Sequence, residues 1–207
     1  LTPGQVSLVI TDLSNGCSST DVFLVEEDIN APDAITSTGG TLLCSQPNIL
    51  LDGNASSQNG NYTYEWWTFA NGGVINMVES SSITYNASVP GDYVIIVTNT
   101  DNGCTSISAP VTVDENISAP VPTMTPSALV LTCDNETITF DAGGSSVGAG
   151  SSGTLNYEWI GTSGTLGNTS TLDVSTIDAV TLIITDVSNG CSTSEVYSTT
   201  QDIEQPS

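Results

Sequence analysis

Three stretches of this chain are one hairpin repeated at a fixed interval. They read GQVSLVITDLSNGCSSTDV from Gly4, GDYVIIVTNTDNGCTSISA from Gly91 and DAVTLIITDVSNGCSTSEV from Asp178. Cys17, Cys104 and Cys191 are therefore 87 residues apart in turn. Self-similarity at a fixed period marks an array of one folding unit, each unit resting on its neighbours. Such a chain is built for reach, spacing and display, and a single catalytic pocket is not expected of it.

The apolar pattern within the unit is that of β-structure. Tyr93 to Val97 is apolar on both faces, as in a central strand. Thr105 to Val113 alternates, which predicts one strand with Ile107, Ala109, Val111 and Val113 on one face. Asn15-Gly16, Asn102-Gly103 and Asn189-Gly190 predict hairpin turns, because both residue types tolerate positive φ. No segment holds a helical period. The fold class expected is all-β, a linear array of tandem immunoglobulin-like β-sandwiches.

The boundaries follow from the junctions VEEDINAPDAI, VDENISAPVPT and TQDIEQPS, each joining a final strand to an acidic turn and a proline. Residues 1–31 are the closing hairpin of a truncated repeat, 32–117 a second repeat and 118–207 a third. Pro32, Pro120 and Pro206 should stiffen the junctions into short, semi-rigid linkers. Within 1–31, Val6, Leu8, Ile10, Val22 and Leu24 need cover, since a lone hairpin is marginally stable in water. Preceding strands of a longer polypeptide would provide it, or a neighbouring subunit completed by strand addition.

Each complete repeat has one early and one late cysteine. The recurrence predicts Cys44–Cys104 and Cys133–Cys191 bridges, each closing about 60 residues. Cys17 is left for a cysteine outside this chain. Paired cysteines imply an oxidising compartment; the alternative is buried free thiols in a reducing one. Neither CxxC spacing nor histidine is present to favour a structural metal.

Composition narrows the function. The chain has 23 Asp plus Glu and no Lys, Arg or His in 207 residues. A Ser-His-Asp triad, a Schiff-base lysine, an arginine clamp on phosphate and a His-ligated zinc are all excluded. So are Lys–Asn isopeptide cross-links. With no basic patch to neutralise phosphates, nucleic acid is not an expected partner. No stretch approaches the roughly 20 apolar residues of a membrane span, so membrane insertion is not expected. A glycosidase-type hydrolase would need two carboxylates facing each other about 5 to 9.5 Å apart, and nothing in the sequence marks such a pair. An anionic, self-repelling surface suits salty surroundings, and its carboxylates have only water, backbone N–H groups or cations such as Ca²⁺ to meet.

Tyr64-Glu65-Trp66 and Tyr157-Glu158-Trp159 place a tryptophan 22 and 26 residues after the early cysteine. A buried tryptophan near a disulfide is the immunoglobulin-sandwich arrangement, so Trp66 and Trp159 are expected in the core. Trp67 should face the other way. It is a candidate contact for a ligand or a neighbouring chain, or it packs beneath a loop.

Early Cys, Tyr-x-Trp, G-x-Y-x-V-x-V-T, D-x-x-N-G-C-x-S and an acidic Ala-Pro junction, in that order, resemble the Ig-like/PKD-like repeats of very large Bacteroidetes surface adhesins of the gliding-motility type. The resemblance covers essentially the whole chain. It implies type IX-type export, cell-surface display and adhesion, with neighbouring repeats, copies of the same protein or surface glycans as partners. The chain departs from PKD domains in lacking the WDFGDG turn. In the third repeat Val180 stands where the second has Tyr93.

The stretches Glu26-Glu27-Asp28-Ile29-Asn30-Ala31-Pro32-Asp33 and Asp114-Glu115-Asn116-Ile117-Ser118-Ala119-Pro120 resemble the calcium-binding linkers of cadherins. That resemblance implies Ca²⁺ ligands at Glu26, Asp28, Asn30, Asp33, Asp114, Glu115 and Asn116, since calcium takes about six to eight oxygens. No cofactor is otherwise required. Six N-x-S/T sequons, at Asn54, Asn61, Asn86, Asn116, Asn135 and Asn168, matter only if the source glycosylates such sites. The expected function is a non-enzymatic, extracellular structural or adhesive segment acting as spacer and display stalk. The alternative is a carbohydrate-binding or spacer module of a secreted multidomain enzyme.

Overall fold

A computed structural model describes residues 2–70, 72–78 and 80–204. Pro206 and the last residues of the 118–207 repeat lie outside that set, as do Leu1, Asn71 and Glu79. The chain is all-β. Its strands are β1 (Gly4–Thr11), β2 (Ser18–Val25), β3 (Gly40–Leu43), β4 (Ile49–Asp52), β5 (Tyr62–Ala70), β6 (Gly73–Val78), β7 (Thr84–Ala87), β8 (Gly91–Asn99), β9 (Thr105–Ile107), β10 (Val111–Asn116), β11 (Thr125–Pro126), β12 (Val130–Thr132), β13 (Ile138–Asp141), β14 (Leu155–Gly161), β15 (Gly164–Gly167), β16 (Thr171–Val174), β17 (Ala179–Asp186), β18 (Ser192–Ser198) and β19 (Thr200–Asp202). Among the described residues there is no helix long and apolar enough to cross a membrane.

Contacts divide the chain into two units, one of residues 1–37, 52–84 and 94–110, the other of residues 38–51, 85–93 and 111–207. In the first, β1 and β2 form an antiparallel hairpin in register from Gly4↔Val25 to Thr11↔Ser18. β5 pairs with β6, with a register shift between Trp67 and Phe69. Residues 94–99 of β8 pair with β9, where Thr98 faces Thr105. Trp66, Val94, Ile95 and Val97 are among its buried apolar residues.

In the second unit, β3 runs parallel to β10, Gly40 facing Val113 and Leu43 facing Asn116. The start of β8 pairs antiparallel with β10, Tyr93 facing Val111. The third repeat has a three-stranded sheet in the order β11-β13-β16 and a four-stranded sheet in the order β15-β14-β17-β18. β12 runs parallel to β19 beside them. The sheets share one buried cluster: Ile138, Phe140, Leu172 and Val174 from one, Trp159, Val180, Leu182 and Ile184 from the other. Strand alternation sends these side chains inward, and Trp159 stacks on Phe140 with ring centroids 5.9 Å apart. Trp66 and Trp159 are both fully buried, as core residues should be. Tyr93 and its replacement Val180 are both buried as well.

The expected strand from Thr105 to Val113 is broken. β9 stops at Ile107 and β10 begins at Val111. Pro110 has no N–H for a ladder, and Ser108 is buried with its Oγ accepting from Ile95 N at 3.0 Å. The interruption leaves Ile107 half exposed while Val111 and Val113 remain buried.

The three hairpins share one register: Thr11↔Ser18, Thr98↔Thr105 and Thr185↔Ser192 are the same pair at the 87-residue period. Their burial differs. Tyr93, Ile95 and Val97 are 2%, 0% and 0% exposed, and Val180, Leu182 and Ile184 are each 0% exposed. The corresponding Val6, Leu8 and Ile10 are 48%, 53% and 64% exposed. Among the described residues β1 and β2 pair only with each other. The register divides the apolar residues between two faces. Phe23, opposite Val6, belongs with Val6, Leu8 and Ile10, whereas Val22 and Leu24 point the other way. Deleting residues 2–25 should therefore shift the melting temperature of the remainder by no more than about 2 °C, because so little of the hairpin is buried. Differential scanning calorimetry checks this.

Candidate inter-repeat junction

The Asn-Gly turns close hairpins, as expected, through loops of four residues. In each copy the Asp or Asn that ends the first strand bonds across the loop: Asp12 N to Cys17 O at 2.8 Å, Asn99 N to Cys104 O at 2.9 Å and Asp186 N to Cys191 O at 2.9 Å. The glycine N–H returns to the carbonyl of that same residue in all three, at 2.7 to 2.8 Å. Only the glycine takes positive φ there, at 75°, 75° and 72°. A four-residue loop closed by one left-handed glycine satisfies the hairpin, so the asparagine is released for another task.

That task divides the asparagine amide in two. The Oδ1 atoms of Asn15, Asn102 and Asn189 each accept from the cysteine N–H two residues on, at 2.9 Å. The Nδ2 group then points away from its own turn. Asn102 Nδ2 donates to Asn30 O at 3.0 Å, within the first unit. Asn189 Nδ2 donates to Ser118 O at 3.0 Å and to Asn116 Oδ1 at 3.2 Å, within the second. Asn30 and Ser118 hold equivalent places in the two junctions, as do Asp28 and Asn116. Hydrogen bonds from the Asn30 backbone and, next, from the Asn102 amide hold the Asp28 carboxyl below its ordinary pKa. In both repeats the turn thus sits on the junction that precedes it.

The second seat is the more enclosed. Asn189 is fully buried and Cys191 nearly so. Ser45 donates from N and Oγ to Asn189 O, at 3.1 and 3.2 Å. A Cβ on Gly190 would meet Ser45 Cβ at 2.6 Å, so only glycine allows this approach. Thr193 Oγ1 donates to Pro120 O at 2.8 Å. Asp186, buried beneath the turn, is held below the usual carboxylate pKa by the Ser151 hydroxyl first, against the effect of burial, and then by Ser188.

The cysteine pairing expected from spacing is overturned here. Cys44 is bonded to Cys191 across 147 residues, with Cα atoms 5.0 Å apart. Cys17, Cys104 and Cys133 are free thiols in this structure. Cys44 lies in the tight turn after β3, where Leu43 and Gln46 exchange backbone hydrogen bonds at 3.0 Å. The parallel pairing of β3 with β10 brings that turn to the junction, with Cys44 Sγ 3.9 Å from Ile117 O. The Asn189 turn is seated there too. The bridge therefore joins the early strand of one repeat to the late turn of the next, and not the two ends of one repeat.

Glu26, Asp28, Asn30 and Asp33 are exposed. Asp28 Oδ1 accepts from Asn30 N and Nδ2, at 3.1 and 2.9 Å. Asp114, Glu115 and Asn116 lie on β10 and not in a linker, so their side chains alternate between faces. Among the described residues no three Cys, Asp or Glu side chains group in a way that could hold a metal ion. Trp67 is half buried, its Nε1 donating to Glu65 Oε2 at 3.2 Å. Pro32 and Pro120 are both buried.

Sequence reasoning missed the asparagine seats. The signal was present, because every turn carries the same Asn and the two junctions carry Asp28 and Asn116 at matching places. Asn189→Ala should cost about 2 to 3 kcal/mol by leaving buried partners unsatisfied. Asn189→Asp, which keeps the acceptor but loses the donor, should fall in the same range. Asn102→Ala, at the more open seat, should cost about 1 kcal/mol. Urea titration of the three variants checks the order.

No protein-family model matches the sequence, and neither does any curated protein. Among solved structures it is similar to the three N-terminal domains of the highly immunogenic outer capsid protein Hoc of bacteriophage RB49, at 12% identity and a TM-score of 0.38 over 82% of this chain. It spans 59% of the length of that phage structure. It is also similar to the mouse coronavirus receptor-binding domain complexed with its murine receptor, at 12% identity and a TM-score of 0.37, over 81% of this chain and 96% of that one.

Proposed function

We propose that this chain is a segment of a non-enzymatic extracellular array, tandem immunoglobulin-like repeats that serve a large surface or filament protein as spacer and display stalk. The observation that carries this reading is the seating of each late turn on the junction before it, at Asn102 on Asn30 and at Asn189 on Asn116. A contact made between consecutive repeats fixes their spacing, which a stalk needs and a catalytic site does not. The Cys44–Cys191 bridge supports an oxidising location. The buried Trp66 and Trp159 support the immunoglobulin-like assignment of the repeats. The absence of Lys, Arg and His leaves little of the usual catalytic repertoire.

Antibodies raised against this chain test the reading. They should label intact, unpermeabilised source cells or filaments shed from them. Labelling that appeared only after permeabilisation would contradict it.

A further inference from the structure

Cys133 occupies the same local structure as Cys44. Thr132 and Asn135 exchange backbone hydrogen bonds at 3.0 and 3.2 Å, as Leu43 and Gln46 do around Cys44. β12, which leads into this turn, runs parallel to β19 as β3 does to β10: Leu131 faces Gln201 and Thr132 faces Asp202, where Leu42 faces Glu115 and Leu43 faces Asn116. Asp202 thus stands where Asn116 accepts the amide of Asn189. Cys133 is exposed, and it lines a depression of about 510 Å³ with Glu136, Gln201 and Ile203. At the Cys44 joint Asn189, Gly190 and Cys191 meet Ser45 and Cys44.

From these matched elements we infer that Cys133 and Asp202 form the receiving half of a second joint, whose occupant is the Asn-Gly-Cys turn of another repeat of this kind. The inference rests on reading the chain as an array. The incoming asparagine donates Nδ2 to the Asp202 carboxylate, and the incoming cysteine bonds to Cys133 Sγ. Forming that bond removes two electrons and two protons from the two thiols. A disulfide oxidant such as oxidised glutathione takes them up and is reduced to two thiols. Among the differences between the joints, Asp134 replaces Ser45 and brings no donor hydroxyl, so its backbone N–H alone corresponds to the Ser45 contacts. The arrangement makes a chain in which each disulfide spans a repeat boundary and none closes a single repeat.

The test uses the full chain followed by a second copy of residues 122–204, which keeps the Pro206 junction in step with Pro120. The protein is folded in a glutathione redox buffer, alkylated with iodoacetamide and mapped without reduction after cleavage at acidic residues. Cys133 should be joined to the added copy of Cys191, with its alkylation at least tenfold below that in the unextended chain, and Cys44–Cys191 should persist. A variant with Cys17→Ser and Cys104→Ser removes competing thiols and should give the same map. Cys133 left alkylated, or a late cysteine joined to the early cysteine of its own repeat, would overturn the inference. Loss of both bridges would also overturn it, since the two joints are held to be the same. Cell-surface labelling tests the array by itself, so labelled cells carrying an alkylated Cys133 would sink the joint and leave the array standing.

Discussion

Replacing Cys44 and Cys191 together by serine should destabilise the chain by about 5 kcal/mol, the largest effect expected of any change outside the core. The bridge spans 147 residues. In the chain-entropy model a loop of that length costs the unfolded state about 5 kcal/mol of freedom, though the origin of such stabilisation is disputed. The full amount is felt when the strands around Cys44 and the turn around Cys191 unfold together, and both belong to one compact unit. For a unit of this size that corresponds to a drop of roughly 10 to 20 °C in melting temperature. Dithiothreitol on the unaltered chain should produce the same shift. Cys104→Ser and Cys133→Ser should leave the melting temperature within about 2 °C, because neither thiol is bonded here. Bridges within each repeat would reverse the pattern, with Cys104→Ser as harmful as Cys44→Ser. Calorimetry of the four variants distinguishes the two pairings.

Trp159→Ala should cost about 3 to 5 kcal/mol. The indole is fully buried among Ile138, Phe140, Leu172, Leu182 and Ile184, in a cluster supplied by both sheets of the third repeat. Its Nε1 also donates to Thr169 O at 2.8 Å, which ties β14 to the loop before β16. Alanine removes the ring that fills the space between the sheets and leaves a cavity that strands held by ladder hydrogen bonds cannot close. Trp159→Phe keeps the stack on Phe140 but loses the N–H, so it should recover most of the loss and retain a deficit of about 1 to 2 kcal/mol. Denaturant unfolding followed by tyrosine and tryptophan fluorescence gives both values. A loss below about 1 kcal/mol for Trp159→Ala would mean that the indole is not the centre of this core.

What was legible in the sequence was whatever depends on neighbours along the chain. Alternation placed Trp66 and Trp159 inward, and the 87-residue period gave three hairpins in one register, because a strand's faces are set by a two-residue repeat. What depends on partners far apart was harder to read. Cys44 could meet a late cysteine 60 residues away or one 147 residues away, and a periodic sequence makes the two look alike. The parallel run of β3 beside β10, which decides between them, leaves no local mark. The acidic junctions were visible as clusters of oxygen acceptors, but the amide donors that two of them receive lie far along the chain. Asp28 and Asn116 meet the amides of Asn102 and Asn189, which a chain without cationic side chains uses as donors. The hairpin turns were legible because their signal is local, but the reach of the asparagine was not. The glycine takes the left-handed conformation, and the amides of Asn102 and Asn189 reach away from their own turns to partners far along the chain.

Single-molecule stretching of the chain from its two ends tests the central claim, that the disulfide joins consecutive repeats. At about 3.4 Å per residue, a bridge spanning 147 residues hides roughly 500 Å of contour length from the pulling force. The oxidised chain should therefore extend about 500 Å less than the same chain in reducing buffer, in one increment that disappears in the Cys44→Ser variant. Hidden length released in two increments of roughly 200 Å each would show the bridges to lie within repeats, and would contradict this account.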